Sequence, residues 1–182
     1  MDVREVEARC GRPREAAFFV EYDAAEFAFL TAAMGDGRNQ DCTVMAGHSG
    51  RVALIRKPLY PPGCFRAPGG SPAPGEDLAA AAGREALEEL GIAVHVERYV
   101  LRAHVTFRRG TDMVQWITHV FTASAASGAL APRDQREVAE APWFTLDELR
   151  NMNARLAESA LGGLRYRAAL QQAILAAMNA WT

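Results

Sequence analysis

The chain has 182 residues, enough to bury a core without disulfide or metal staples and suited to one domain. Its net charge is −2 and it has no dense basic run, so a long nucleic acid is not the expected partner. No apolar run reaches membrane-spanning length and Met1-Asp2-Val3-Arg4-Glu5 opens with charge, which together with the odd, unclustered Cys10, Cys42 and Cys64 reads as a cytoplasmic protein with free thiols and no membrane partner.

Residues 1–41 read as an N-terminal extension. Asp23 followed by Glu26 forms a capping box for a short helix through Met34, which Gly35-Asp36-Gly37 ends. Phe18, Phe19, Phe27, Phe29 and Leu30 are too many large apolar residues for a free tail, so this segment is expected to pack on the main domain or on a partner subunit. Residues 42–182 read as that main domain. Cys42 to Ala46 and Arg51 to Arg56 favour strands and are joined by Gly47-His48-Ser49-Gly50 as a hairpin. A rigid loop, Pro58-Leu59-Tyr60-Pro61-Pro62-Gly63, precedes Phe65-Arg66-Ala67-Pro68-Gly69-Gly70, where glycines bring backbone close to a ligand.

Asp77 is placed as the N-cap of an alanine-rich helix that stops at Gly91, a residue suited to the left-handed position after a helix. At 100° per residue, Ala79, Gly83, Ala86, Leu87 and Leu90 share one face and Glu85, Glu88 and Glu89 the opposite one, giving a packing side and an acidic side. Ala93 to Val96 and Tyr99 to Arg108 read as strand, with Arg109-Gly110-Thr111-Asp112 turning into a run from Met113 to Ala123. Ala125 to Glu140 is a polar, mobile-looking loop, and Thr145 with Glu148 caps another helix. A last helix runs from about Leu164 to Trp181 with apolar repeats at Leu164, Leu170, Ile174, Ala177 and Trp181. Helices and strands in this order suggest a mixed sheet sandwiched between helices.

Three carboxylates near the negative end of one helix dipole need compensation, since two such charges about 6 Å apart repel by roughly 3 kcal/mol at an effective dielectric of about 20. Arg84, one turn before Glu88, neutralises one of them, and an oxygen-ligated divalent cation suits the remainder. An isolated acidic run of this kind is more often a solvated helix face. Here Gly70, Glu76 and Arg84-Glu85-Ala86-Leu87-Glu88-Glu89-Leu90-Gly91-Ile92 fall at the spacing of the Nudix box, and the chain resembles the Nudix hydrolase family from residue 42 to about 150. Ala86 departs mildly from the bulkier aliphatic usual there.

The resemblance implies an α/β/α sandwich and hydrolysis of a diphosphate linkage with Mg²⁺, or Mn²⁺ in its place, on a small nucleotide. Metal ligands implied are Glu85, Glu89, Glu88 and the Gly69 carbonyl, with Glu88 alternatively the partner of Arg84. Glu76 is expected to orient the loop. The general base is a box glutamate in some members and a later loop glutamate in others, leaving Glu85, Glu88, Glu137 and Glu140 as candidates. Tyr60, Phe65 and Arg66 are substrate-binding candidates, the aromatics for stacking a base and the guanidinium for phosphate; Phe107 and Trp116 are weighed as stacking or core, and Arg102, Arg108 and Arg109 as further phosphate contacts. His48, His95, His104 and His119 read as strand or turn residues.

Family members favouring ADP-ribose often carry a proline about fifteen residues beyond the box, and those favouring dinucleoside polyphosphates a tyrosine near there. Residues 104–109 contain neither. The extra segments at both ends lean the expectation toward a nucleotide sugar or ADP-ribose-like conjugate, cleaved by a homodimer. The alternatives are a nucleoside triphosphate pyrophosphatase of the sanitising type and a non-catalytic module that binds a nucleotide metabolite. Isoprenyl diphosphate isomerase chemistry finds no supporting cysteine and glutamate motif.

Overall fold

The computed structural model describes residues 3–35 and 37–179. Asp36 and Trp181, invoked above for a helix end and a packing repeat, lie outside them. The elements are α1 (Val3–Cys10), β1 (Arg14–Glu21), α2 (Ala24–Ala33), β2 (Gln40–His48), β3 (Arg51–Ala53), β4 (Gly69–Gly70), α3 (Leu78–Glu89), β5 (Val94–Arg109), β6 (Asp112–Ala125), β7 (Trp143–Phe144), α4 (Leu146–Ala157) and α5 (Gly162–Asn179). Strands follow the order β1-β5-β6-β2-β3-β7, with β4 also on β2. The β1/β5 and β2/β6 pairs are parallel and the others antiparallel, so the sheet is mixed.

Alternation along β2 assigns the layers. Cys42, Val44 and Ala46 join Val6 of α1 and Leu78, Ala81, Ala82, Ala86 and Leu90 in one core. Met45 joins the other, made with Leu149, Met152 and Leu156 of α4 and Leu164, Leu170 and Ile174 of α5. The result is the expected α/β/α sandwich, with the acidic helix on one face and the C-terminal helices on the other. None of the described helices is long and apolar enough to cross a membrane.

Local signals act where they were read. Asp23 with Glu26 and Thr145 with Glu148 form capping boxes, and Asp77 accepts from the amides of Ala79 and Ala80 at 3.1 and 3.0 Å. The β2–β3 turn carries positive φ at Ser49 (50°) and Gly50 (72°), the backbone a tight hairpin requires. β3 ends at Ala53 because Ile55 and Arg56 then take separate partners, bridging to Arg66 and Glu140.

Two expectations need correction. The N-terminal segment holds a helix and a strand not foreseen: α1 has the single buried side chain Val6, and β1 finds its partner β5 more than 80 residues away, at Arg14 opposite Leu101. Phe18 and Leu30 pack against the core and Phe27 is buried, whereas Phe19 is 84% exposed and Phe29 also faces solvent. The 125–140 loop is docked rather than free: the Ala131 amide donates to the Leu90 carbonyl at 2.8 Å and the Arg133 amide to the Glu88 carbonyl at 3.1 Å. These bonds satisfy carbonyls that the end of α3 leaves without helical partners.

Beside that dock, Gly91 has φ 72°, and a Cβ there would lie 1.8 Å from the Ala131 carbonyl oxygen. Gly91→Ala is expected to cost at least about 1–2 kcal/mol from the left-handed backbone alone, with more as the loop is displaced. Thermal denaturation should show Tm lower by at least about 2 °C.

A second consequence of burial sits in β6. His119 is buried, its Nε2–H donates to Gln40 Oε1 at 3.1 Å, and its Nδ1 accepts from the Tyr99 hydroxyl, so the ring is neutral. Burial, opposed by nearby Asp41 and aided by Arg102 and His104, lowers its pKa to about 4. The unfolded chain protonates this ring near pH 6.5 and the folded one does not, so stability is complete above that pH and falls by roughly 3 kcal/mol as pH drops to about 4. Tm measured from pH 7.5 to 4.5 should fall less steeply in His119→Gln than in the parent chain.

Candidate active site

Helix α3 presents Glu85 and Glu89 one turn apart, and both are buried, at 8% and 3% exposure. This corrects the division into a packing side and an acidic side. Glu85 and Glu89 lie inward beneath the 66–71 segment, Glu88 points to solvent, and the buried apolar residues are Leu78, Ala81, Ala82, Ala86 and Leu90. The helix is covered on more than one side because a loop, and not only the sheet, packs on it.

Glycine makes that cover possible. A Cβ on Gly70 would fall 2.5–2.7 Å from the Glu85 carboxylate, and one on Gly69 would fall 2.2 Å from the Cys42 carbonyl oxygen. The Gly69 amide donates to Glu89 Oε2 at 2.7 Å, so the loop backbone touches one carboxylate directly while its neighbour abuts the other.

Arg84 is the hub of the solvent side. It donates to both oxygens of Glu76 at 2.9 and 3.0 Å, to Glu85 at 2.7 Å, to Glu88 at 3.1 Å and to the Ser71 carbonyl at 3.1 Å. One guanidinium thus serves three carboxylates, not the single one expected, because its planar donor fork projects in several directions at once. Glu76 also accepts from the Ala73 amide at 2.7 Å, which ties the 71–76 loop to the helix as anticipated for that residue. The Arg84 hydrogen bonds hold the Glu76 carboxyl below the usual carboxylate range. Burial pushes Glu85 the other way: the Arg84 contact offsets the rise only partly, and the charges of Glu89 and Glu88 add to it.

Glu89 is compensated differently. Lys57 Nζ lies 2.6 Å from Glu89 and 3.5 Å from Glu137 of the docked loop, and Arg66 reaches Glu89 at 3.3 Å. Lys57, the chain's one lysine, was not singled out from sequence, and its proximity to α3 depends on how the 56–65 loop folds back. Arg66 is buried against the carbonyls of Ala67 (2.9 Å) and Gly69 (3.3 Å), so it faces Glu89 and the loop backbone rather than an open phosphate site. Phe65 is buried against Phe144 with ring centres 5.0 Å apart, a core position unsuited to stacking a base. Tyr60 is half-buried against the same core. Phe107 is buried between Tyr22 and Tyr166, and Trp116 donates to buried Asp41 at 3.1 Å.

Of the loop glutamates, Glu137 faces the Lys57 ammonium beside Glu89, and Glu140 pairs with Arg56. Glu88, Glu89, Arg133, Asp134, Glu137 and Val138 line a cavity of about 250 Å³. Arg102 is engaged by Glu7, Glu15 and Tyr99, Arg108 by Glu21 and Arg109 by Asp112, all away from this cavity. Among the described residues no three acidic, histidine or cysteine side chains converge as a ready metal cage, because the carboxylates are turned to Arg84, Lys57 and Arg66. Cys10, Cys42 and Cys64 are free thiols.

The Arg84 geometry yields a test of its principal partner. In a denaturation double-mutant cycle, Arg84→Ala and Glu76→Ala should couple by about 1–2 kcal/mol, since two hydrogen bonds and a loop tether are shared. The same cycle with Glu88→Ala should give below about 0.5 kcal/mol, as for an exposed pair one helical turn apart.

The NUDIX domain family model matches residues 37–162. The NAD-capped RNA hydrolase NudC of Stutzerimonas stutzeri is 28% identical over 112 residues, covering 62% of this chain and 38% of that protein. The NAD-capped RNA hydrolase NudC of Deinococcus radiodurans is 33% identical over 118 residues, covering 62% of this chain and 40% of the relative. The chain therefore spans about two-fifths of the length of these curated relatives. In three dimensions, a NUDIX hydrolase from Nitrosomonas europaea shares the fold at a TM-score of 0.55 and 20% identity, over 79% of this chain and 89% of that one. With the box residues gathered on α3 and its glycine loop, and the family model covering more than half of the sequence, the chain belongs to the Nudix hydrolase family.

Proposed function

We propose that this chain hydrolyses the diphosphate linkage of a nucleoside diphosphate joined to a second group, in the class of NAD-like dinucleotides, ADP-ribose-like conjugates and nucleotide sugars, using Mg²⁺ with Mn²⁺ as a substitute. The observation that carries the reading is the pair of buried carboxylates, Glu85 and Glu89, closed over by Gly69-Gly70. The naming of both NudC relatives for an NAD-capped substrate supports the dinucleotide side of the class. On this reading residues 42–182 carry the chemistry and residues 1–41 brace the edge of its sheet through β1.

The donor set fits a hard divalent cation. Two carboxylates one turn apart and the Gly69 carbonyl are oxygen ligands, and Glu85 is a buried anion whose charge the protein only partly offsets. Glu85, Glu89 and the Gly69 carbonyl would hold the metal, with Glu88 at the solvent edge. The metal supplies charge neutralisation of phosphate oxygens and a lowered pKa for bound water.

The protein's own groups complete the site. Arg84 fixes Glu85 and, through Glu76, keeps the 71–76 loop closed. Glu137 takes a proton from the attacking water, whose oxygen forms a bond to one phosphorus as the bridging P–O bond breaks, and two monophosphate products leave. Lys57 holds Glu137 toward Glu89 and offers an ammonium to the charge that develops on phosphate oxygens.

One observation favours a second reading: in this arrangement Lys57 and Arg66 already neutralise Glu89, as a metal-free nucleotide-binding module would need. Turnover separates the two. Incubation with NAD-like dinucleotides, ADP-ribose, nucleotide sugars and common and oxidised triphosphates, with Mg²⁺ or Mn²⁺ and detection of monophosphate, should show kcat/KM highest for a diphosphate conjugate. Preference for a triphosphate would overturn the substrate class, and tight binding without turnover would establish the binding module. Glu89→Gln should keep the circular dichroism of the parent and lose activity on the order of 10²-fold or more, since a direct ligand matters at least as much as its outer neighbours. An active Glu89→Gln protein would refute the ligand assignment.

A further inference from the structure

We infer that Gln171 of α5 is a positioning residue of the active site, holding the loop that presents Gly69 to Glu89. The inference rests on the hydrolase reading above and concerns a residue that lies beyond residues 37–162, the span matched by the family model.

Gln171 is 1% exposed. Its Oε1 accepts from the Ala67 amide at 3.1 Å, and its Nε2 donates to Oδ1 of buried Asn153 on α4 at 2.6 Å. A primary amide bonded at both ends in a dry interior has a fixed rotamer and a fixed orientation. The backbone that it holds is close to the chemistry. The Ala67 carbonyl accepts from Arg66, whose guanidinium also reaches the Gly69 carbonyl and Glu89, and two residues on the Gly69 amide donates to Glu89 at 2.7 Å. One chain of hydrogen bonds therefore runs from α4 through α5 to the buried carboxylate.

Neighbouring points of the loop are tied to the sheet. Arg66 exchanges backbone bonds with Ile55 at 2.8 and 2.9 Å, and the Pro68 carbonyl accepts from the Val44 amide at 3.0 Å. Between them, the Ala67 amide points away from the sheet toward the C-terminal helices, and Gln171 meets it there. Without that bond a buried N–H loses its partner, and the loop relieves the loss by turning the 66–69 peptides, moving the Gly69 carbonyl that would hold the metal. Filling space against α4 would need only an apolar side chain. The amide aimed at a loop N–H marks the positioning role.

The test measures Mn²⁺ binding directly, by the loss of the free-ion electron paramagnetic resonance signal, alongside Tm and the kcat and KM for the preferred substrate. Gln171→Met, which keeps length and loses both bonds, should weaken Mn²⁺ binding by about 10-fold and lower kcat with little change in KM. Gln171→Glu keeps an acceptor for the Ala67 amide, with Asn153 turning its amide to donate, and should restore most of the Mn²⁺ affinity. Asn153→Ala removes only the outer partner and should produce a smaller loss in the same direction. Ile174→Val trims the same helix without touching the chain of bonds and should lower Tm while leaving Mn²⁺ affinity unchanged. Unaltered Mn²⁺ affinity in Gln171→Met and Asn153→Ala, or an equal loss in Ile174→Val, would overturn the inference while the hydrolase reading stands. Should Gln171→Met not fold, Asn153→Ala decides the matter: weaker Mn²⁺ binding supports the inference and unaltered affinity overturns it. A parent protein that neither binds Mn²⁺ nor turns over any diphosphate would overturn the hydrolase reading and this inference with it.

Discussion

Two carboxylates buried a single helical turn apart impose the constraint to which the rest of this molecule answers. Anions out of water and close together repel strongly, so Glu85 and Glu89 require cations and hydrogen-bond donors from elsewhere in the chain. Arg84 supplies the first from the same helix, and Lys57 and Arg66 supply the second from the loop after β3. The Gly69 amide adds a donor that only a glycine-rich segment can bring so near. Each compensating group is anchored in turn: Arg84 by Glu76, Arg66 by loop carbonyls, and the loop by β2 and Gln171.

The sheet and helices make that burial possible. β2 lies between β6 and the β3 and β4 segments, so the core strand and the glycine loop are hydrogen-bonded to one another, and α3 packs across both. The far end of α3 would expose carbonyls, and the 125–140 loop covers them while carrying Glu137 back toward Lys57. The dock that caps the helix is also the one that brings a loop glutamate to the site.

The second layer, α4 and α5, packs on the opposite face of the sheet but does not act only as cover. Gln171 accepts from the Ala67 amide, so the C-terminal helices and α3 grip the same five-residue segment, Arg66 to Gly70, from two directions. A short segment fixed from both layers loses little freedom when a ligand binds, which is the physical advantage of preorganisation.

How much of this was legible in the sequence depends on the range of each interaction. The acidic helix, its Asp77 cap, its Gly91 stop and the box spacing are contained in residues 70–92, and helix geometry makes such spacing a statement about space. The capping boxes and the β2–β3 hairpin were readable for the same reason. The sequence by itself therefore determined the family, the sandwich class and the helix bearing the carboxylates. Only the tertiary structure decided which glutamates are buried, because that depends on a loop folding over α3 and not on helical phase. It also decided that Arg84 grips Glu76 most fully, that Arg66 and Phe65 face inward, that Lys57 joins Glu89 to Glu137, and that β1 completes the sheet against β5. These contacts join residues separated by eight positions, as for Arg84 and Glu76, to 87, as for Arg14 opposite Leu101, and Gln171 meets Ala67 across 104. No periodicity records such pairs, because they exist only once the chain has closed around its core.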